Sequence, residues 1–319
     1  MLYGLKGGCF LEIFVIIICF LIILAILLYF FSIAFVRKKG KDIENFENAV
    51  KRSLQPYKEQ IKEGIDYINS LECEEIYIKS FDGLSLFGRF YNSENAKGTI
   101  ILFHGYRSFA KRDFSCAVEM YLNKGLNVLL VDQRAHGRSE GRLITFGIKE
   151  RLDALSWIDY VIEERGKSEQ ILLGGMSMGA TTVLLASGLK LPQNVKGIIA
   201  DSGFTSPVDI IKKVAKDNYN VGGSLVVPIF NLFCKLLGGF SLYGISTVDA
   251  VKKSKVPILL IHGKADNFVP CDMCRKNYQC ALCEKEILLV ENAGHGLGFF
   301  FNKEAMREKA FKFIERNII

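Results

Sequence analysis

Six short apolar runs, each separated from the next by a segment of helical character, constrain the fold of this chain more than any other feature. Continuous apolar runs of this length are typical of strands that are buried on both faces. Strands that alternate with helices predict an α/β fold with a mostly parallel sheet and helices on both faces. The runs are TIILFH (99–104), NVLLVD (127–132), QILLGG (170–175), GIIADS (197–202), PILLIH (257–262) and EILLVE (286–291).

Two segments depart from this alternation. EEIYIKSFDGLSLFGRFY (74–91) alternates polar and apolar residues around Asp82-Gly83, which predicts an antiparallel β-hairpin before the first buried strand. Residues 205 to about 250 show no strand pattern but contain apolar helical patches such as LVVPIFNLFCKLLGGF. We expect a helical insertion there, which would be either a cap over a site or an ordinary crossover with two helices.

The N-terminal segment is apolar without interruption. No charged residue occurs from Ile13 to Val36, and this run would be about 36 Å long as a helix, enough to cross a hydrocarbon core of about 30 Å. We therefore predict a single-pass membrane anchor within residues 1–36. A cleaved signal peptide is the alternative, because Ser32-Ile33-Ala34 imitates a cleavage site. However, the apolar run exceeds the usual 7–15 residues of a signal peptide, roughly by half or more.

Flanking charge predicts how the anchor is oriented. Basic residues are more numerous after the apolar run than before it, which places the C-terminal body on the cytoplasmic side. Nine cysteines, an odd number, agree with reduced thiols in that compartment. A signal anchor with the body outside is the alternative. The flanking residues are Lys6 on one side and Arg37, Lys38, Lys39 and Lys41 on the other.

Residues 37–73 are predicted to link the anchor to a body of residues 74–319. Apolar residues recur there at helical steps of three and four, and Pro56 interrupts them. The segment would be a helical stalk or a helix packed on the edge of the body. The net charge of +7 comes from basic residues interleaved with acidic ones, so no nucleic-acid partner is expected. The basic cluster beside the span fits anionic lipid headgroups.

A serine lies between two glycines where the run ILLGG gives way to a helical segment. Gly175-Met176-Ser177-Met178-Gly179 fits G-x-S-x-G. A serine on a tight strand-to-helix turn has a strained backbone, and neighbours two residues away must lack bulk. The Met178 amide, at the start of the helix, would be free to bind an oxyanion. Ser177 is therefore the predicted nucleophile. A dinucleotide-binding loop would need a glycine where Leu173 stands.

A serine nucleophile needs a general base and an acid that orients this base. His295 follows the last apolar run and comes after the serine in chain order, so it is the predicted base. Asp266, in the loop after PILLIH, is the predicted acid, and Asp201, after the preceding run, is the alternative. His104 and His262 end apolar runs and are expected to have structural roles.

The oxyanion site needs a second amide from the loop after the first buried strand. His104-Gly105-Tyr106-Arg107 occupies this loop, and the Tyr106 amide is the predicted donor. No cofactor is expected.

Cysteines also occur in two C-x-x-C units, which usually suggests zinc. On one helix, positions nine apart face opposite ways, so these pairs would not converge on one metal. We therefore predict no metal site and leave a redox role open. The pairs are Cys271 with Cys274 and Cys280 with Cys283.

These motifs together resemble the α/β-hydrolase superfamily, in particular its serine-aminopeptidase-like and bem46-like bacterial members. The resemblance covers residues 74–319 and implies an eight-stranded sheet with a triad of Ser177, Asp266 and His295. It is carried by HGYRS (104–108), DQRAHGRSEG (132–141), GGMSMGA (174–180), HGKADNFVP (262–270) and AGHG (293–296).

The function that these residues and the resemblance predict is that of a membrane-anchored serine hydrolase. It would cleave carboxylic ester or related acyl bonds through an acyl-enzyme. Its substrate would be a small acyl molecule, and a lipid-like one is among the candidates. A peptidase or amidase of the same fold, and a non-catalytic membrane-tethered binding domain, are the alternatives.

Overall fold

The computed structural model describes residues 5–37 and 52–318. Three of the basic residues after the apolar run, Lys38, Lys39 and Lys41, lie outside the described residues. The first part of the predicted linker, with Phe46 and Val50, lies outside them too.

One sheet of eight strands forms the centre of the body, as predicted. The strands are β1 (Glu74–Lys79), β2 (Ser85–Tyr91), β3 (Gly98–Phe103), β4 (Leu126–Val131), β5 (Ile171–Met176), β6 (Val195–Asp201), β7 (Ile258–Gly263) and β8 (Lys285–Val290). Their order is β1-β2-β4-β3-β5-β6-β7-β8. The β1–β2 hairpin is antiparallel, as is the β2–β4 pair, and all other pairs are parallel. The carboxyl ends of β3 to β8 therefore lie along one edge.

Helices cover both faces of this sheet. They are α1 (Leu5–Phe35), α2 (Lys58–Ser70), α3 (Ala110–Asp113), α4 (Val118–Asn123), α5 (Glu150–Arg165), α6 (Met178–Ala186), α7 (Pro207–Tyr219), α8 (Gly223–Gly238), α9 (Thr247–Val251), α10 (Cys271–Cys280), α11 (Gly298–Phe301) and α12 (Lys303–Asn317). One buried cluster joins the sheet to α5, α6 and α10. A second joins the opposite face to α2, α4 and α12. The core therefore lies in two layers, one on each face of the sheet.

The segment 205–250 contributes α7, α8 and α9 and no strand. The Ser206 hydroxyl caps α7 by accepting a hydrogen bond from the Asp209 amide at 3.0 Å. α7 ends at Asn220, which has a left-handed backbone, and α8 begins three residues later. The short connection lets α7 and α8 pack against each other as a helical hairpin.

α1 contains the one helix segment of the described chain that is long and apolar enough to cross a membrane, Leu11–Phe35. Most of its side chains are exposed, from Leu11 to Tyr29. Its last two turns are different, because Phe31 and Phe35 are almost completely buried. They pack in a third cluster, here called the aromatic cluster, which also contains Phe146, Phe204, Phe230, Phe233 and Met178.

The described part of the linker contains a 3₁₀ helix, Arg52–Tyr57, which includes Pro56, and then α2. Proline cannot donate a backbone hydrogen bond within a regular α-helix, which explains why α2 begins after it. Ile61, Ile65 and Ile68 form the buried stripe of α2. α2 thus packs on the body beside α3 and α4.

Candidate active site

The turn between β5 and α6 carries Ser177 in a strained conformation. Its backbone has φ 56° and ψ −113°, outside the regions that L-residues ordinarily adopt. A Cβ on Gly179 would lie 1.8 Å from the carbonyl oxygen of Phe103, and a Cβ on Gly175 would lie 2.3 Å from the carbonyl of Gly179. Any side chain at either glycine would therefore force the strand and the helix apart.

Ser177, His295 and Asp266 form one hydrogen-bonded chain. The His295 Nε2 lies 2.9 Å from the Ser177 Oγ, and its Nδ1 lies 2.7 Å from the Asp266 Oδ2. A carboxylate can only accept at that position, so Nδ1 carries a proton and Nε2 is free to accept the serine proton. The His295 side chain is 25% exposed, so this end of the chain is open to a substrate.

Asp266 is buried and fully hydrogen-bonded. Its Oδ1 accepts from the amides of Phe268 and Val269 at 2.9 and 2.8 Å. Its Oδ2 faces both His295 and, at 3.2 Å, the Nε2 of His262. Burial raises the pKa of Asp266, but the hydrogen bonds from the two histidines outweigh burial and hold this pKa well below its ordinary range. The carboxylate therefore stays charged beside the imidazole of His295.

Asp201, the alternative acid, ends β6 one residue before a turn. Its carboxylate accepts a hydrogen bond from the Ser202 hydroxyl at 2.8 Å. Burial raises the pKa of Asp201, with only partial compensation from Ser202 and the nearby histidines. In the part of the chain that the structure describes, His295 makes its carboxylate hydrogen bond with Asp266 and not with Asp201. The geometry of an orienting acid thus belongs to Asp266.

The loop after β3, residues 104–108, lies against the elbow. A Cβ on Gly105 would be 3.4 Å from the Ser177 Cβ, so the backbone passes close to the serine. The Gly105 amide donates to the Asp113 carboxylate at 2.7 Å, and the Arg107 amide donates to His136 at 3.0 Å. The Tyr106 amide between them has no acceptor within residues 5–37 and 52–318. It is available to a ligand, as is the Met178 amide at the start of α6.

Two buried histidines brace this loop, and the role of His136 cannot be recognised in the sequence. Its Nδ1 donates to the Arg134 carbonyl at 2.9 Å, and its Nε2 accepts from the Arg107 amide. Burial, with help from His104 and nearby arginines, lowers the pKa of His136 to about 3. His104 makes the equivalent pair of contacts, with the Gly105 carbonyl at 2.8 Å and the Gln133 amide at 3.1 Å.

The end of α1 also contacts this loop, although no sequence pattern indicates such a contact. The Tyr106 hydroxyl donates to the carbonyl oxygens of Ala34 and Ile33 at 2.9 and 3.2 Å. The Arg107 guanidinium donates to the Val36 carbonyl at 3.0 Å. The Tyr106 ring stacks on Phe146, with 5.3 Å between the ring centroids. The helix that could span a membrane is therefore part of the wall of the candidate site.

Arg134, in the motif DQRAHGRSEG, and the two pairs of cysteines are not part of the hydrogen-bonded chain of Ser177, His295 and Asp266. Arg134 pairs with Asp82 and Asp153, at 3.0 and 2.5 Å, and braces its loop. The pairs of cysteines lie on α10 and just after it. No group of three or more metal-binding side chains occurs among the residues that the structure describes.

Comparison with known proteins agrees with the motifs. Residues 94–229 match the family model of serine aminopeptidases, S33. The uncharacterized protein YqkD of Bacillus subtilis is 26% identical over 89% of this chain and 90% of its own length. Protein bem46 of Schizosaccharomyces pombe is 25% identical over 63% of each chain. The predicted resemblance is thereby confirmed.

A solved structure has the same architecture. An esterase of Pyrococcus furiosus superposes with a TM-score of 0.65 and 24% identity, over 79% of this chain and 94% of that one. At this identity the likeness establishes the fold, and the site must be interpreted from its own geometry.

Proposed function

Since the chain has the α/β-hydrolase fold and resembles its serine-aminopeptidase-like and bem46-like members, we propose that it is a membrane-anchored serine hydrolase that cleaves carboxylic ester or related acyl bonds. The observation that carries this proposal is the hydrogen-bonded chain of Ser177, His295 and Asp266 on a strained elbow. Such strain persists where the surrounding fold enforces it, and here it presents a hydroxyl to an acceptor nitrogen.

The first half of the reaction forms an acyl-enzyme. Ser177 Oγ attacks the carbonyl carbon of the substrate while His295 Nε2 takes its proton. The carbonyl electrons move onto oxygen, and the amides of Tyr106 and Met178 hold the resulting oxyanion. When the carbonyl re-forms, the bond to the leaving group breaks, and His295 gives its proton to the departing oxygen. Asp266 stabilises the imidazolium throughout.

The second half releases the acid. Water enters beside His295, which takes one proton from it as the oxygen attacks the acyl carbon. Collapse of the second tetrahedral intermediate breaks the bond to Ser177, and the proton on His295 returns to Oγ. The hydrogen bonds from the two histidines hold the pKa of Asp266 low and keep this acid charged through both halves, so the imidazole retains one orientation.

Membrane anchoring is supported by the two parts of α1. Its outer part is long, apolar and exposed, as a lipid-facing helix would be. Cleavage after Ala34 would remove Phe31 from the aromatic cluster and leave Tyr106 without its carbonyl partners. A retained anchor keeps both contacts, whereas removal of a signal peptide would break them.

An acyl substrate is supported by the surroundings of the site. Met178 belongs to the aromatic cluster, and the exposed ring of Phe268 lies 5.0 Å from that of His295. These surfaces suit a hydrocarbon chain better than a charged peptide. A peptidase would use the same residues, so a panel of acyl esters, thioesters, glycerides and peptides separates the two reactions by relative kcat/KM.

A cytoplasmic body is the orientation we propose, because Arg37 and the lysines after it outweigh Lys6. Protease added to sealed inverted vesicles should then digest the body, and protease added to right-side-out vesicles should leave it intact. The opposite pattern would place the body outside.

The proposed nucleophile is tested with a fluorophosphonate probe on the full chain. We expect labelling of the wild type and of Ser70→Ala, a control at an exposed serine, and none of Ser177→Ala. Ester hydrolysis should fall about 10⁴-fold or more in Ser177→Ala. A folded wild type that is neither labelled nor active would contradict catalysis and favour a binding domain.

A further inference from the structure

α8 carries a stripe of exposed leucines. Leu225, Leu232 and Leu236 recur at steps of seven and four residues, so they lie on one face of the helix. They are 69%, 53% and 71% exposed, respectively. Single exposed leucines are common on soluble proteins, but an aligned set on one helix marks a surface that something covers.

The opposite face of α8 is apolar as well. Val227, Phe230, Phe233 and Cys234 are buried there, in the aromatic cluster. Lys235 is the one charged residue between Gly223 and Gly238. Apart from Lys235 and the buried Asn231, α8 is apolar on two opposite faces, and each such face is expected to be covered in the working environment of the helix. The body covers only the inner face, so the outer face has a further partner.

The position of α1 identifies that partner. Phe31 packs against Phe230 and Phe233, with 6.0 and 5.4 Å between ring centroids, so α1 leaves the body alongside α8. The exposed apolar part of α1 begins within one turn of this contact, at Tyr29. α8 therefore lies beside the point at which the exposed apolar part of α1 begins. The surface of a lipid bilayer that surrounds α1 would therefore lie close to α8.

Polar residues near α8 are also suited to the surface of a lipid bilayer. Lys212, Lys216 and Tyr219 are exposed at steps of four and three along α7, the helix that packs on α8. The Tyr219 ring contacts that of Phe30 on α1, with 5.3 Å between centroids. Lysine and tyrosine are the residues that meet the headgroup layer at a membrane surface. Anionic headgroups would bind the lysine ammonium groups of α7.

We propose that α8 is an interfacial helix, whose leucine stripe enters the outer acyl region of the leaflet that α1 crosses. This inference rests on the proposal that α1 spans a membrane. The body is then held at the membrane by two contacts, a spanning helix and a helix lying in the surface. Two contacts fix the orientation of the body relative to the bilayer more tightly than the docked α1 does alone.

Tryptophan fluorescence in vesicles tests this placement without any measurement of activity. The chain has a single tryptophan, Trp157, which is buried in α5 and gives a constant background. The full chain carrying Leu236→Trp is reconstituted into phosphatidylcholine and phosphatidylglycerol vesicles with brominated acyl chains, which quench indole at short range. We expect the added emission of Leu236→Trp to fall by roughly half or more, because the stripe is immersed.

Two matched variants complete the test. Leu282→Trp is the control, because Leu282 is 79% exposed but precedes β8, at the edge of the sheet opposite to the site. Phe14→Trp reports on α1 itself. Strong quenching of Leu236→Trp and Phe14→Trp, with Leu282→Trp unaffected, supports the proposal. Quenching of Leu236→Trp no greater than that of Leu282→Trp would overturn it.

The Phe14→Trp result distinguishes a failure of the proposed interfacial helix from a failure of the proposed membrane anchor. If Phe14→Trp is quenched and Leu236→Trp is not, the anchor stands and the interfacial helix is wrong. If neither is quenched, both are wrong. A third outcome is that the Leu236→Trp emission is not quenched by the brominated chains but shifts to shorter wavelength as the protein-to-lipid ratio rises. The stripe would then join two copies of the chain, which also overturns the proposal.

Discussion

The two sides of the candidate site are held in different ways. On one side, Ser177, His295 and Asp266 stand at strand ends and are fixed by backbone amides and by one another. On the other side, the loop with Tyr106 is fixed by buried histidines and by the last turn of α1. The difference teaches that the proposed acid–base residues are held within the sheet, whereas the proposed oxyanion side depends on the helix that could span a membrane.

A substitution on the sheet side should have the largest effect on kcat. Asp266→Asn should lower kcat for a p-nitrophenyl ester by about 10³- to 10⁴-fold, because the amide no longer orients and stabilises the imidazolium. Asp201→Asn, at the alternative acid, should lower kcat by less than about 10-fold. An equal loss in both variants would mean that the two carboxylates act together.

Substitutions on the α1 side should lower the free energy of unfolding of the body. Phe35→Ala deletes a buried ring from the aromatic cluster and should lower the free energy of unfolding of the body by about 3 kcal/mol, measured in detergent by chemical denaturation. Phe14→Ala, on the exposed part of the same helix, should change it by less than about 0.5 kcal/mol. Equal effects would show that the last turn of α1 does not belong to the folded body.

The stability of the fold should depend on pH through His136, which braces the loop of residues 104–108. The pKa of His136 is about 3 when folded and near 6.5 when unfolded, so below about pH 6.5 the unfolded chain binds a proton that the folded chain does not. Stability is therefore full above this pH and falls as the pH drops, by up to about 1.4 kcal/mol per unit. His136→Gln should flatten this slope between about pH 6 and 4 in urea unfolding. An unchanged slope would show that the pH dependence of stability comes from other titratable groups.

The smallest effect concerns the direct link from α1 to the loop. Tyr106→Phe keeps the amide but loses the hydroxyl that donates to Ala34 and Ile33. We expect a loss of about 1 kcal/mol, seen as a roughly five-fold lower kcat/KM, because the loop is held less firmly. Tyr243→Phe, at an exposed tyrosine, is the control and should match the wild type. No loss in Tyr106→Phe would show that the histidines alone hold the loop.

The sheet side is also the side that the sequence predicts. Each buried strand is a local run of apolar residues, and the order of serine, acid and histidine can be read along the chain. The elbow glycines follow from a steric rule that acts over four residues, so Gly175 and Gly179 can be interpreted without a structure. The acid is harder to predict, because Asp201 and Asp266 both follow strands, and only the structure shows which one meets His295.

The α1 side could not be predicted, for a physical reason. A bilayer and a protein core both accept phenylalanine, so Phe31 and Phe35 look like any other residue of the apolar run. The contact between Tyr106 and Ala34 joins positions 72 residues apart and uses backbone carbonyls, which carry no sequence signal. His136 is visible in its loop, but its partner, the Arg107 amide, is not.

The docking of α1 on the loop with Tyr106 has a kinetic consequence. The end of the helix is held directly against the wall of the site, because Phe35 and Val36 are themselves hydrogen-bonded to the body. If α1 spans a membrane, as we propose, a hydrolase attached in this way would sample lipid-soluble substrates by lateral diffusion in a plane. Its turnover would follow the mole fraction of substrate in the bilayer rather than the bulk concentration, so diluting the substrate with inert lipid would slow the reaction even when the total amount of substrate is constant.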